Sequence, residues 1–156
     1  MIRAIVPDDR DNLIALIKAI GLFEPGEVAE VINLLTEHFS GKRSSQGRWF
    51  TDDDSGSLIS VAYAAPERMT EDTWNLYLIA VDPHYQKQKR GATLLEYVEK
   101  TLVELEARIL LVETLAIDEF DYVRKFYRKS GFEEEARIRE FYAAGVDKVI
   151  FWKALA

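Results

Sequence analysis

Apolar residues recur along the chain with a period that switches between two and about 3.6, and each switch marks a change of element. Residues 1–6 read as a first strand, after which Pro7-Asp8-Asp9 opens a helix with its carboxylates at the positive end. Leu13, Ile14, Ile17 and Ile20 form that helix's apolar stripe, and Gly21 stops it. Beyond Pro25-Gly26 a second helix carries Val28, Val31, Ile32, Leu35 and Phe39 and ends near Ser40-Gly41. From Arg48 to Ala65 the pattern is that of a hairpin. Trp49-Phe50 lies on one arm, Asp52-Asp53-Asp54-Ser55-Gly56 forms a solvated turn, and Ile59, Val61 and Tyr63 alternate on the other arm.

The second half repeats the alternation. A strand is expected from about Trp74 to Val81, then a helix over 90–106 with Leu94, Leu95, Val98, Leu102 and Leu105 on one face. Ile109-Leu110-Leu111-Val112 is a continuous apolar run, the signature of a strand buried on both faces. A helix from about Glu119 to Lys129 is expected to pack through Tyr122, Val123 and Phe126 and to stop at Ser130-Gly131. Strands over Phe132–Tyr142 and Val146–Lys153 join through Ala143-Ala144-Gly145. The strand–helix–strand in the middle needs a parallel crossover, so the pattern implies a mixed sheet with helices on its faces. No repeat, low-complexity tract or linker divides the sequence, so residues 1–156 read as a single α/β (α+β) domain.

Composition narrows the function classes. Apolar residues are 48% and charged residues 30% of the chain, an ordinary globular balance that argues against disorder. The chain has no cysteine, which excludes disulfides, thiolate metal ligands and a cysteine nucleophile and is compatible with a reducing compartment. There is no signal-peptide run and no apolar stretch of the roughly 18 residues a membrane helix needs. A cytoplasmic protein with no membrane partner is therefore expected. The net charge of −7 disfavours nucleic acid as a partner and is compatible with attraction of a cationic amine. His38 and His84 lack zinc spacing, and no regular ligand spacing follows the three aspartates, so no metal is expected.

One junction carries candidate chemistry. A strand ends at Val81, Pro83 opens a turn, and the basic loop Gln86-Lys87-Gln88-Lys89-Arg90-Gly91-Ala92-Thr93 feeds an amphipathic helix. Backbone N–H groups at a helix N-terminus, with Lys87, Lys89 and Arg90 nearby, suit a pyrophosphate. The same residues also suit an ordinary connection with solvated lysines. The junction resembles the acyl-CoA motif of the GNAT superfamily, V-x-P-x-x-Q-x-x-G-x-G/A-x-x-L-L, with Val81, Pro83, Gln86, Gly91, Leu94 and Leu95 in register. Lys89 stands where the first motif glycine belongs. If that position needs a positive φ, lysine is costly there. Alternatively its ammonium contacts the phosphates directly.

A second segment, Phe126-Tyr127-Arg128-Lys129-Ser130-Gly131-Phe132, is similar to the superfamily's F-Y-x-x-x-G-F, and Arg139–Lys153 resembles the closing hairpin of many bacterial members. The resemblance spans nearly the whole chain, with the specific motifs in residues 76–132. It implies a mixed, mostly antiparallel sheet of about six to seven strands with about four helices. It further implies an N-acetyltransferase in which acetyl-CoA enters where the strand ending at Val81 splays from the one ending at Val112. In that scheme Ile79, Ala80 and Val81 pair with the pantetheine, the loop from Gln86 to Thr93 holds the pyrophosphate, and an N–H near Ile79–Val81 stabilises the oxyanion. Tyr127 would protonate the departing thiolate.

The attacking amine must lose a proton, and Glu113 is the carboxylate best placed by sequence, followed by Glu119 and Asp118. Tyr77 shares a face with Ile79 and Val81 and is expected to line the acceptor pocket, which the segment 22–45 and the closing hairpin shape. The acceptor that the resemblance implies is a small-molecule or peptide amine. Dimerisation is common among members, so the resemblance also implies a homodimer as a partner state. Transfer of another acyl group, a non-catalytic acyl-CoA sensor and a CoA-free interaction domain remain as alternatives.

Overall fold

The computed structural model describes residues 1–21, 24–41 and 46–155, so part of the expected acceptor-shaping segment 22–45 lies outside the described residues. The described chain runs β1 (Ile2–Ala4), α1 (Arg10–Ile20), α2 (Pro25–Phe39), β2 (Arg48–Asp54), β3 (Ser57–Pro66) and β4 (Thr73–Val81). It continues through α3 (Arg90–Glu104), β5 (Ile109–Leu115), α4 (Asp121–Lys129), β6 (Glu133–Ala143) and β7 (Val146–Ala154). The strands follow the order β1-β2-β3-β4-β5-β7-β6. β4 and β5 run parallel, whereas β1–β2, β2–β3, β5–β7 and β6–β7 are antiparallel. Among the described residues this is the mixed, mostly antiparallel seven-stranded α/β fold with four α-helices that the resemblance implies.

Contacts divide the chain into two compact units, Met1–Ala65 with Leu78–Val98, and Pro66–Tyr77 with Glu99–Ala156. In the first, α1 buries Leu13, Leu16, Ile17 and Ile20 against Leu35, Trp49, Val61, Tyr63, Leu78 and Ala80. Leu16 thus takes the place in the stripe that periodicity gave Ile14, which is only partly buried. Gly21 closes α1 in the left-handed region at φ 70°. Ahead of α1, Asp9 accepts two bonds from Arg3, at 2.8 and 3.0 Å, and one from the Val6 N–H at 2.8 Å. The expected solvated aspartate turn is shorter than the sequence suggested. Only Ser55-Gly56 turn, while Asp52 lies within β2, 4% exposed and paired with Arg90 at 3.1 Å.

In the second unit, Thr73–Leu76 of β4 pair with Ile109–Val112 of β5, and Ile109–Leu115 pair with Lys148–Ala154 of β7. Alternation sorts these residues by face. Trp74, Leu76, Leu110, Val112, Val149 and Phe151 are buried, with Phe132 and Tyr127 in the same core. β5 is consequently not buried on both faces. Leu110, Val112 and Thr114 are buried, and Ile109, Leu111, Glu113 and Leu115 are only partly so, because their face also carries the polar Asn75 and Lys148. α4 departs from its expected packing as well. It buries Tyr127, while Tyr122 is 59% exposed.

Two outcomes follow from this core. Phe151→Ala should cost about 3–5 kcal/mol in urea denaturation, whereas Tyr122→Ala should change stability by no more than about 0.5 kcal/mol. Arg3 first, then the Val6 N–H, hold the Asp9 carboxyl below its ordinary 3.8 against the opposing effect of burial. A carboxylate with a depressed folded pKa stabilises above its unfolded pKa and loses that contribution as pH falls through the folded value. The stability gap between the wild type and Asp9→Asn should therefore be constant above the ordinary carboxylate range and close below 3.8. Denaturant melts across acidic pH would check it.

Candidate active site

The end of β4 and the start of α3 are joined by a tightly bonded turn. Asp82 Oδ1 accepts the His84 N–H at 2.9 Å, and Gln86 Nε2 returns to the Val81 carbonyl at 3.3 Å. Lys87 and Lys89 both adopt φ 62°, in the left-handed region. For a residue with a Cβ that conformation costs roughly 1–2 kcal/mol relative to the right-handed one. The position where the motif has glycine therefore does use the backbone geometry glycine favours, and Lys89 supplies it at a cost. The first bond of the α3 ladder runs from the Thr93 N–H to the Lys89 carbonyl at 3.0 Å, and Thr93 Oγ1 donates to the same oxygen at 2.9 Å. The N–H groups of Arg90, Gly91 and Ala92 precede that ladder and have no intrahelical acceptor, the arrangement that binds anions.

The three basic side chains of the loop are not equivalent. Arg90 reaches Asp52 at 3.1 Å and Asp54 at 3.8 Å, and its guanidinium lies 5.8 Å from the Tyr85 ring centroid. Its charge is largely answered by β2. Among the described residues the ion pairs of this loop are those of Arg90 and of His84 with Asp82, and neither Lys87 nor Lys89 pairs with a carboxylate there. In β4 the side chains of Ile79 and Val81 are partly buried and that of Ala80 is buried. All three residues lie past the Leu76↔Val112 end of the β4–β5 register.

The second unit holds a polar network around Glu113. Asn75 Nδ2 donates to Glu113 Oε2 at 2.8 Å and to Glu67 Oε1 at 3.0 Å, and the Tyr77 hydroxyl donates to the same Glu67 oxygen at 2.7 Å. Lys148 forms an ion pair with Glu113, and its ammonium sits 3.7 Å from the centroid of the Phe141 ring. Tyr142 is pushed up to about 12 by burial, with the negative charge of Glu113 adding to the effect. Glu113 and Tyr77, both expected as site residues, thus join one network through Glu67 and Asn75. Sequence reading missed Glu67, Asn75, Phe141 and Lys148. One signal was available: Asn75 interrupts the apolar run Trp74–Leu76 in mid-strand.

Phe141 reaches Lys148 because β6 bulges. Its register with β7 passes from Ile138↔Lys148 to Ala143↔Val146, leaving Arg139–Tyr142 opposite Asp147. Asp147 braces the bulge, accepting the Glu140 N–H at 2.9 Å and pairing with Arg137 at 3.1 Å. Glu140 pays for the bend with φ 52°.

Tyr127 is 5% exposed, its ring packed on Phe126, Phe132 and Phe151 at centroid distances of 5.3 to 5.7 Å. Burial pushes its phenol well above the ordinary value of 10.0, so it is held protonated. Gly131, at φ 92°, makes the turn from α4 into β6. Glu119 and Asp118 fall in the single turn before α4 and are not among the hydrogen-bond partners in the network around Glu113. No group of three or more His, Cys, Asp or Glu able to hold a metal occurs among the described residues, and no helix there is long and apolar enough to cross a membrane.

Residues 45–134 match the family model described as an acetyltransferase (GNAT) domain. No curated protein matches the chain in sequence. A solved structure from Desulfovibrio desulfuricans, described as of the GNAT acetyltransferase family, is 30% identical and superposes with a TM-score of 0.95, over 100% of this chain and 99% of that one. The ribosomal-protein-S18-alanine N-acetyltransferase of Escherichia coli is 21% identical with a TM-score of 0.78, over 100% of this chain and 94% of that one. An aminoglycoside 6'-N-acetyltransferase complexed with coenzyme A is 15% identical with a TM-score of 0.79, over 100% of this chain and 97% of that one. The last two show the shared fold. The matched domain covers more than half of the sequence, and with the Desulfovibrio relative it establishes that this chain belongs to the GNAT acetyltransferase family.

Proposed function

We propose that the chain works as a single N-acetyltransferase domain over 1–156, moving an acetyl group from acetyl-CoA to a primary amine by direct attack. The observation that carries the reading is the turn before α3. Two left-handed lysines and three N–H groups ahead of the helical ladder lie there, and among the described residues neither lysine pairs with a carboxylate. That chemistry fits a pyrophosphate, and Lys89 keeps the backbone path of the glycine it replaces. The solved relative with coenzyme A supports the same cofactor by fold.

In this reading the amine nitrogen forms a bond to the thioester carbon, the C–S bond breaks, and the sulfur leaves as a thiolate. Glu113 receives the proton lost by the attacking ammonium, and Tyr127 returns one to the sulfur. Burial raises the Tyr127 phenol and so favours its protonated form. The same burial makes it a weaker acid than the thiol it would regenerate, whose ordinary pKa is about 8.5, so its contribution depends on close placement beside the sulfur. An N–H of the Ile79–Val81 strand stabilises the oxyanion, and Tyr77 orients the acceptor with Glu67.

Calorimetry with acetyl-CoA tests the cofactor site. The wild type should bind in the micromolar range, and the Lys87→Glu/Lys89→Glu pair should weaken binding by at least about tenfold through lost charge complementarity. Unchanged affinity in the charge-reversed protein, folded by circular dichroism, would remove the loop from the site. Lys89→Gly should weaken binding but alter stability by less than about 1 kcal/mol, since relief of the left-handed strain offsets the greater chain entropy of glycine. Tyr127→Phe should keep acetyl-CoA affinity and lower thiol release with a reactive amine by about 100-fold or more. Full turnover in that variant would assign the proton donor elsewhere.

A further inference from the structure

A carboxylate and an aromatic face set around an ammonium make a binding site for alkylammonium ions in general. Here the ammonium is the chain's own. The Lys148 side chain is only 10% exposed, its nitrogen paired with Glu113 and 3.7 Å from the Phe141 centroid. Three neighbouring features hold that cation or its partner carboxylate. Asn75 fixes the far oxygen of Glu113, and the β6 bulge, braced by Asp147, carries Phe141 over the nitrogen. A strained four-residue bulge is more than an ion pair between neighbouring strands requires.

We infer that the cage of Glu113, Asn75 and Phe141 is the ammonium site of the amine acceptor, and that Lys148 occupies it as an intramolecular stand-in which the acceptor must displace. The inference rests on the amine-acetyltransferase reading for its biological purpose; the binding chemistry stands on the cage alone. Displacement would also free Glu113 from its resident cation, leaving the carboxylate to take a proton from the incoming ammonium. The cage admits one primary ammonium head. Glu67, which accepts from Asn75 and Tyr77 and forms no ion pair among the described residues, offers a second anionic contact. The acceptor class that fits is therefore an unbranched alkylammonium with a second positive charge further along.

The test uses n-butylammonium and 1,4-diaminobutane as probes, without acetyl-CoA, so that failure of the cofactor site does not affect it. Lys148→Met empties the cage while preserving most of the side chain's apolar stem. Because Lys148 occupies the cage in the wild type, apparent affinity for n-butylammonium should rise by about tenfold or more in Lys148→Met. Glu113→Gln or Phe141→Ala in that background should abolish the gain. 1,4-Diaminobutane should bind more tightly than n-butylammonium, and Glu67→Gln should erase that difference. In the wild type, the ε-ammonium resonance of 15N-labelled Lys148 should shift as 1,4-diaminobutane saturates, a readout that requires no substitution. Equal affinity in wild type and Lys148→Met, a gain independent of Glu113, or no saturable binding together with an unmoved Lys148 resonance would each overturn the proposal. Acetyl-CoA binding to the same samples separates such a failure from failure of the acetyltransferase reading.

Discussion

Placing Glu113 and Lys148 on a sheet face that is otherwise partly apolar sets the terms for the second unit. Removing two charges from water costs several kcal/mol per ion, and mutual attraction recovers this only when the remaining lone pairs and protons are also answered. Asn75 answers the second oxygen of Glu113, and the face of Phe141 answers the remaining side of the ammonium. Each answer has a structural consequence. Asn75 replaces an apolar residue in mid-strand on β4, and Phe141 arrives only because β6 abandons its register for four residues. The opposite face bears none of this cost: Leu110, Val112, Val149 and Phe151 are close to fully buried and hold the strands in place. A half-buried polar network on one face thus depends on a dry core on the other.

The first unit solves a different problem, that of turning a strand into a helix while leaving backbone donors unspent. A turn with two left-handed residues aims N–H groups outward, and glycine is the residue that does so without strain. This chain uses lysine twice instead. The strain is tolerated because neighbouring groups over-determine the turn: Asp82 caps its start, Gln86 ties back to Val81, and Thr93 closes on the Lys89 carbonyl. Arg90, the third basic residue, serves the fold by pairing with the buried Asp52. Charge near a loop is therefore a poor guide to which cation is left unpaired by the fold. The carboxylates within reach decide it.

These two cases mark what is legible in the sequence. Element order follows from periodicity, and the left-handed position at Lys89 from the glycine of the motif it resembles, both of which depend on residues near one another in the chain; the burial of Tyr127 in place of Tyr122 did not. The expected burial of β5 on both faces failed because Leu111 looks identical to Leu110 until its strand neighbours are known. Asp52 was read as solvated for the same reason: its partner, Arg90, lies far away in sequence. The cage around Lys148 was invisible because it is made by register. Ile138, Ala143, Val146 and Lys148 give no hint that four residues will loop out between them.

The bulge itself carries the last step. β6 and β7 are joined by a short turn, and an uninterrupted hairpin would have continued the Ile138↔Lys148 pairing directly to its end. Instead the chain accepts an unfavourable φ at Glu140 and spends the carboxylate of Asp147 on securing the detour. A Lys148–Glu113 pair needs only adjacent strands, and β5 and β7 already supply that. What the detour adds is an aromatic wall and a second tyrosine beside Glu113, both on a hairpin end where Phe141 remains 53% exposed. Exposure of the wall is inefficient for stability, and it leaves the aromatic face of the Lys148 contact open to solvent on one side. The geometry is therefore better explained by a cation that is meant to be replaced than by one that is meant to stay.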